Sequence, residues 1–404
     1  MPSNASNTDV PPPSVLFALH AAADDASFSV SPETLMARAV AVLEERLGPS
    51  DDAPQSAFVP GATGLLSDHT HYSNGFALLM PLTQGTALAW RPSSGDATRF
   101  VFDGEPTTWT LPAPGNAPDW ARVASRVLQR RAGGPVDVAI VSTIPTPCRD
   151  AYWAALSVGL AQGPSGLTAR ADRPESTFAT LREIVEDTTG VPYSVAYPIA
   201  AYAGHNNAFL LVDTATLEHL PVETAARDDL RWHLLLGLGA PPALDKGRHR
   251  ARRDQADEAL AYLREHGFSE LQSFRELEHR QLPHAIDALP PRLHPTVRYL
   301  VTENRRVQKM VAALRRQDWQ MVGALLLMSH TSRRDDGGGT PEAVDALVDR
   351  VEHMRLEGVY GAAMTGRGGE MVVVGRPSAG PLLPERLVAE MEQQVGRVPR
   401  ALPL

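Results

Sequence analysis

Apolar residues along the chain recur with two periods, and the period changes along its length. Between Pro32 and Leu47, Leu35, Ala39, Val42 and Leu43 fall at helical spacing, which predicts an amphipathic helix. The polar run GPSDDAPQS (48–56) after it reads as a loop. Short β-type runs follow. FALLMPL and TALAW (76–90) read as two strands turned at Gln84-Gly85, and TRFVFDG (98–104) as another. VDVAIVS (136–142) is apolar throughout, as expected of a buried strand, and leads into a predicted helix at 148–160. AFLLVD (208–213) is a further strand.

Beyond about residue 225 the helical period dominates. Helices are predicted at 252–266, 297–316 and 341–354. The second has Val297, Leu300, Val301, Val307, Met310, Val311 and Leu314 in one stripe. The third repeats the pattern with Val344, Leu347, Val348 and Val351, and Pro341 suits its first turn. MVVVG (371–375) is a late strand. Strands dominate the first half and helices the second, so the expected class is α+β in two domains. The expected boundaries are an N-terminal extension with a helix at 1–50, a first domain at 51–225 and a second at 226–404. The proline-rich stretch 1–13 is expected to be unstructured.

Composition narrows the function classes. With 404 residues, 43% hydrophobic and 21% charged, the chain can bury more than one core. A net charge of -9 gives no basic footprint for nucleic acid. The single cysteine, Cys148, excludes an internal disulfide and a multi-cysteine metal site. No run approaches the ~18–20 apolar residues of a membrane span, and MPSNASNTDVPPPSV lacks the regions of a signal peptide. A cytoplasmic protein is expected, with no nucleic-acid or membrane partner.

Three segments in order carry a family resemblance. VPGATGLLSDHTHYSNGFALLMPL (59–82) is similar to the galactokinase signature Ala-Pro-Gly-Arg-Val-Asn-Leu-Ile-Gly-Glu-His-Thr-Asp-Tyr and the apolar strand after it. GVPYSVAYPIAAYAGHNNAFLLVDTATLEHLPV (190–222) is similar, without a gap, to the segment that holds the family's catalytic aspartate. VTENRRV (301–307), SHTSRRDD (329–336) and GAAMTGRGG (361–369) resemble the family's Thr-Glu-Asn-Arg-Val, Ser-His-x-Ser-Leu-Arg-Asp and Met-Thr-Gly-x-Gly stretches. The chain thus resembles a galactokinase of the GHMP kinase superfamily over about residues 57–376. The resemblance implies an N-terminal domain like the second domain of ribosomal protein S5 and a ferredoxin-like C-terminal domain. It also implies a cleft between them where ATP, with magnesium, phosphorylates the C1 hydroxyl of galactose.

Against that pattern, the groups that carry the chemistry differ. Phosphoryl transfer needs a carboxylate at the sugar hydroxyl and a cradle for the phosphates. Tyr197 stands at the position of the catalytic aspartate, and a phenol with a pKa near ~10 is a poor base at neutral pH. Ala62 stands at the position of the supporting arginine. The family's glycine-rich phosphate loop corresponds to STIPTPCRDAYWAAL (142–156), which has no glycine. Pro145 and Pro147 each remove an amide donor, Thr146 is placed to cap the helix, and Asp150 occupies its first turn. Arg149 is the one side chain there suited to a phosphate.

The sugar-contacting Glu-His-Thr-Asp reads Asp68-His69-Thr70-His71, and a tyrosine near the sugar falls at about His249. The basic run DKGRHRARRD (245–254) suits either an anion or a solvated helix face, the latter being the commoner use. His69 and His71 would share a face on a strand, but no third metal ligand is specified. Gly366, Gly368 and Gly369 form the expected turn beside the cleft, and Glu370 adds a negative charge there. His330 and Asp335 read as structural groups at a helix end. Three readings follow, one of them a purely structural or subunit-interface role as the partner of an active kinase. The first is a catalytically impaired homologue, a pseudokinase that binds a sugar, a nucleotide or a protein partner and needs no cofactor. The alternative is an active ATP- and magnesium-dependent sugar kinase with a rebuilt site, its base drawn from Asp68, Asp150 or Asp213.

Overall fold

The computed structural model describes residues 30–145, 147–166, 174–204, 208–223, 230–237, 246–366, 370–379, 386–387, 389 and 400–404. The proline-rich start 1–13 lies outside them, as do Thr146, Gly368 and Gly369.

The first sheet is built on one long strand. β1 (Gln55–Leu66) runs antiparallel along β2 (Phe76–Pro92) from Leu66↔Leu78 to Gln55↔Trp90. On the other edge of β2 two strands share the length: β6 (Ala208–Asp213) pairs with residues 76–79, and β5 (Val136–Ser142) with 86–92. β3 (Arg99–Phe102), β4 (Trp109–Thr110) and β7 (His219–Glu223) complete seven strands. The two strands expected at 76–90 are therefore one. Gln84-Gly85 is no turn: a Cβ on Gly85 would stand 2.3 Å from the Phe58 ring, so the glycine lets β1 cross closely.

Side-chain alternation gives this sheet two buried faces. Leu88, Phe100, Phe102, Val138 and Ile140 face α2 (Asp119–Leu128), α3 (Arg149–Gln162), α4 (Pro174–Thr189) and α5 (Ala196–Ala203). Ala87, Ala89, Val101, Ala139 and Val141 face α1 (Pro32–Leu47), whose Leu35, Ala39, Val42 and Leu43 are buried as the spacing predicts. Ser31 caps that helix by accepting from the Thr34 amide.

The second sheet has the order β11 (Arg400–Pro403), β8 (Arg231–Leu236), β10 (Glu370–Gly375), β9 (Val359–Thr365). α6 (Lys246–Glu265) and α7 (Leu282–Ala288) pack on α8 (His294–Arg316), while α8, α9 (Trp319–Asp335) and α10 (Glu342–His353) cover the sheet. α10 buries Val344, Leu347, Val348 and Val351 on one face of this sheet. On the other face α8 and α9 pack Val307, Met310, Leu314, Val322 and Leu326 against Val372, Val374 and the β1–β2 residues Leu66, Leu78 and Met80. That shared core joins the two sheets, and the candidate site lies along the same seam.

Candidate functional site

The segment after β1 is held from both sides. Thr70 donates its hydroxyl to the Phe76 carbonyl at 2.9 Å, and its own carbonyl accepts from the amides of Ser73 and Gly75. Asn304 on α8 accepts the Phe76 amide at 2.8 Å and donates to the Leu300 carbonyl at 2.9 Å. A Cβ on Gly75 would lie 2.5 Å from the Asn304 Oδ1 atom, so glycine is required for this docking. The neighbouring Glu303 is wholly spent on structure: Ser329 and Arg306 each donate to it at 2.6 Å. The VTENRRV and SHTSRRDD stretches therefore fasten α8 and α9 to the turn.

Asp68 is held by Arg333. The guanidinium pairs with the Asp68 carboxylate and also donates to the Gly366 carbonyl at 2.8 Å. Tyr299 donates to the Asp68 backbone carbonyl at 3.1 Å. A single buried arginine thus ties the sugar-signature segment to the turn after β9. Neither Arg333 nor Tyr299 is singled out by the sequence. The one available signal is that Ser329, His330 and Arg333 share the buried face of α9.

The histidines do not lie on a strand. His69 has φ 62° and His71 opens a short 3-10 turn, His71–Ser73, so strand alternation does not apply. The left-handed backbone turns the His69 ring inward. It stacks on His249 of α6 with centroids 5.2 Å apart and hydrogen-bonds to the Tyr72 hydroxyl at 2.8 Å. Burial, then the charges of Arg333 and the neighbouring histidines, push its pKa well below the ordinary value, so it is neutral at pH 7. The His71 Nδ1 lies 3.4 Å from the Ser67 carbonyl. Among the described residues, no three or more His, Cys, Asp or Glu side chains converge as a metal site.

Tyr197 and Ala62 line the same small cavity at the base of the seam. Both are buried, on α5 and β1. Tyr197 stacks with Tyr193 at 6.2 Å, and its hydroxyl reaches Ser67. Burial, then the Asp150 and Asp68 charges, raise its pKa well above that of a free phenol. It is therefore a donor over the working pH range and not a proton acceptor. Around it Ala62, Thr63, Pro147, Cys148, Arg149, Asp150, Gly366 and Glu370 leave a cavity of about 10 Å³, room for roughly one water molecule.

The helix start beside that cavity differs from the sequence reading. α3 begins at Arg149 with Cys148 at the cap, and no side chain caps it. The Cys148 amide closes a turn on the Pro145 carbonyl at 2.9 Å, so the two prolines stiffen the entry and delay the helix. Thr146, the expected cap, lies outside the described residues. Cys148 is buried, and burial, then the Glu370 and Asp150 charges, push its thiol pKa well up. Gly366 takes φ 60°, and a Cβ there would meet the Glu370 carboxylate at 2.1 Å, so this acid lies directly over the turn.

Of the candidate bases, two have other duties. Asp213 accepts the Ala215 amide at 2.9 Å and the Arg275 guanidinium at 2.5 Å, and Asp68 holds Arg333. Asp150 lines the small cavity. His330 joins Asp345 at 3.0 Å and the Met364 amide at 3.3 Å, bridging α9, α10 and β9. Asp335, read as bonding the helix end, instead pairs with the adjacent exposed Arg334 at 3.0 Å.

Comparison with known proteins agrees with this fold. Residues 44–92 match the family model of the galactokinase galactose-binding signature. The galactokinase of Mycobacterium tuberculosis is 30% identical over 322 residues, covering 76% of this chain and 85% of that protein. Bovine galactokinase is 27% identical over 359 residues, covering 83% and 86%. The structure of Lactococcus lactis galactokinase complexed with galactose superposes with a TM-score of 0.78 at 21% identity, over 91% of this chain and 96% of that one. Methanococcus jannaschii mevalonate kinase gives 0.54 at 12% identity, over 88% and 98%. The fold is thus the α+β one common to galactokinase and mevalonate kinase. With relatives matched along most of their length and the signature segment seated at the seam, the chain belongs to the galactokinase family.

Proposed function

We propose that this protein is a galactokinase-family member that recognises a galactose-like sugar without phosphorylating it, and that it acts as a sugar- or partner-responsive regulator. The observation that carries the reading is Tyr197. Where the family places a carboxylate, this chain has a buried phenol that stays protonated far above neutral pH. A sugar hydroxyl there would meet a donor, and Tyr197 could not accept the proton that the hydroxyl must lose on phosphorylation. Three further features support the same conclusion. Ala62 offers no charge, the described residues at the phosphate position leave about 10 Å³, and Glu370 opposes any phosphate at the Gly366 turn.

Recognition of the sugar is supported separately. The signature segment is docked in place, and the similar Lactococcus lactis protein was solved with galactose. In this reading Asp68, His69, His71 and His249 form the polar wall that meets the hydroxyls, and ATP and magnesium are not required. The domains divide near residue 225, between β7 of the first sheet and β8 of the second. Thermal-shift titrations with galactose, ATP with magnesium, and both together test it, alongside ADP release. Stabilisation by galactose with no ADP release supports the reading. Steady sugar-dependent ADP release that is lost in Asp150→Asn would replace it with the active-kinase alternative.

A further inference from the structure

A second, much larger cavity lies on the outer side of the seam. It measures about 320 Å³ and is lined by Ala251, Arg252 and Gln255 of α6, Arg292 and Pro295 at the start of α8, and Gly338 after α9. That volume is at the lower end of the roughly 300–1,000 Å³ of small-molecule sites. Among the described residues the lining carries two arginines and a glutamine, beside Ala251, Pro295 and Gly338. We propose that this cavity is a binding site for a small phosphorylated sugar or polyol, with Arg252 as the inner phosphate contact and Arg292 as a rim contact.

The site is preformed. Arg252 donates from Nη1 to the Thr296 hydroxyl at 2.9 Å, and that hydroxyl donates on to the Gln255 Oε1 atom at 3.0 Å. One threonine thus fixes both polar side chains. On the other side, Gly338 has φ 110°, and a Cβ there would stand 3.0 Å from the Arg252 Nε atom, so the guanidinium rests against bare backbone. An arginine fixed before binding loses less rotamer entropy when a phosphate arrives, and its fork matches the phosphate oxygens. Its neighbour Arg253 is committed elsewhere, to Glu186 of α4 at 2.5 Å. The basic run on α6 is therefore a divided element: one arginine braces the first domain and one lines a cavity.

Arg292 is held in reserve by a competing anion. Its guanidinium grips the Glu258 carboxylate with both nitrogens, on an exposed surface. A phosphate in the cavity would compete with Glu258 for it. The site also adjoins the sugar wall, since Arg252 lies one turn beyond His249, whose ring stacks on His69.

The test is calorimetric titration of the full chain at low salt with glucose 6-phosphate, inorganic phosphate and glucose. Saturable binding of glucose 6-phosphate, weaker binding of inorganic phosphate and none of glucose at this site are expected. Arg252→Gln should weaken glucose 6-phosphate binding by about tenfold or more. Glu258→Gln should tighten it by releasing Arg292, an effect that loss of a structural contact would not produce. Arg250→Gln, an exposed neighbour on the same helix, should change nothing. Circular dichroism checks that each variant is folded. If Arg252→Gln fails to fold, Arg292→Gln and Glu258→Gln decide, in opposite directions. Absence of saturable binding by the wild-type chain, or binding indifferent to both Arg292→Gln and Glu258→Gln, would overturn the proposal.

Discussion

At the scale of single residues, the seam is a set of polar groups already satisfied by one another. Arg333 is the centre of that set, because it meets both Asp68 and Gly366 from inside the protein. Removing one partner of a buried pair leaves an uncompensated charge, at a cost of about 3–5 kcal/mol. Arg333→Met should therefore lower stability in urea by that order, while Asp68→Asn, which keeps a hydrogen-bond acceptor, should cost less. The reverse ranking would show that Arg333 is not the fastening group.

Titration gives a second prediction. His69 and His233 both have depressed pKa values, through burial first, and that of His233 falls to about 4. In the unfolded chain an imidazole takes up a proton near pH ~6.5. The unfolded state therefore binds protons first as the pH drops. The stability these groups contribute is complete above pH ~6.5 and is lost from there down towards pH 4. Urea midpoints at pH 7.5 and 5 should show the fall, and His233→Gln should reduce it. A midpoint that rises on acidification would contradict the burial account.

The sequence offers Tyr197, Ala62, Asp68, His69 and His71 as candidates because each falls within a motif, and His249 because it lies in a basic run. It does not offer their partners. Arg333 and Tyr299 meet the Asp68 turn from more than 230 residues away, and nothing in the sequence pairs either with Asp68.

At the scale of elements, glycine decides the close approaches. α9 crosses β9 backbone to backbone: a Cβ on Gly323 would be 2.1 Å from the Tyr360 carbonyl oxygen, and one on Gly361 would be 2.3 Å from that of Gly323. Neither partner is a flexible side-chain end, so the helix itself must move. Gly323→Ala should cost roughly 1–3 kcal/mol, despite its favourable helix propensity. Chemical denaturation checks this, and an unchanged or raised midpoint would mean that the helix can slide freely.

The amphipathic helices were legible because each has one apolar stripe, as in α8 and α10. The reading at Gln84-Gly85 failed because glycine serves close packing as well as turns. β8 and β11 went unread because they are short and pair with strands distant in the sequence, so no local period announces them.

At the scale of the molecule, the two sheets share one core, and their polar links converge along the seam between them. Thr365 donates to the Gly64 carbonyl across the seam, close to where Gly64 also leaves room for the Tyr197 hydroxyl. The packing at Gly64 is close: a Cβ there would stand 3.2 Å from that hydroxyl and 2.0 Å from the Ser67 Oγ atom. Restoring the base alone should therefore not restore a kinase. Under the proposed reading Tyr197→Asp is expected to yield no sugar phosphate with ATP, magnesium and galactose, since Ala62 carries no charge and Pro145 and Pro147 carry no amide donor. Product formation at a rate well above the wild-type chain would show that the carboxylate was the only loss.

The central claim is that sugar recognition has been kept while phosphate transfer has been lost. Its most direct test is a single-turnover experiment with enzyme in excess over radiolabelled ATP, at saturating galactose and magnesium, quenched over seconds to hours. The account predicts that all label stays in ATP while galactose binding is measurable in the same preparation. Transfer of label to galactose within one enzyme equivalent would contradict it.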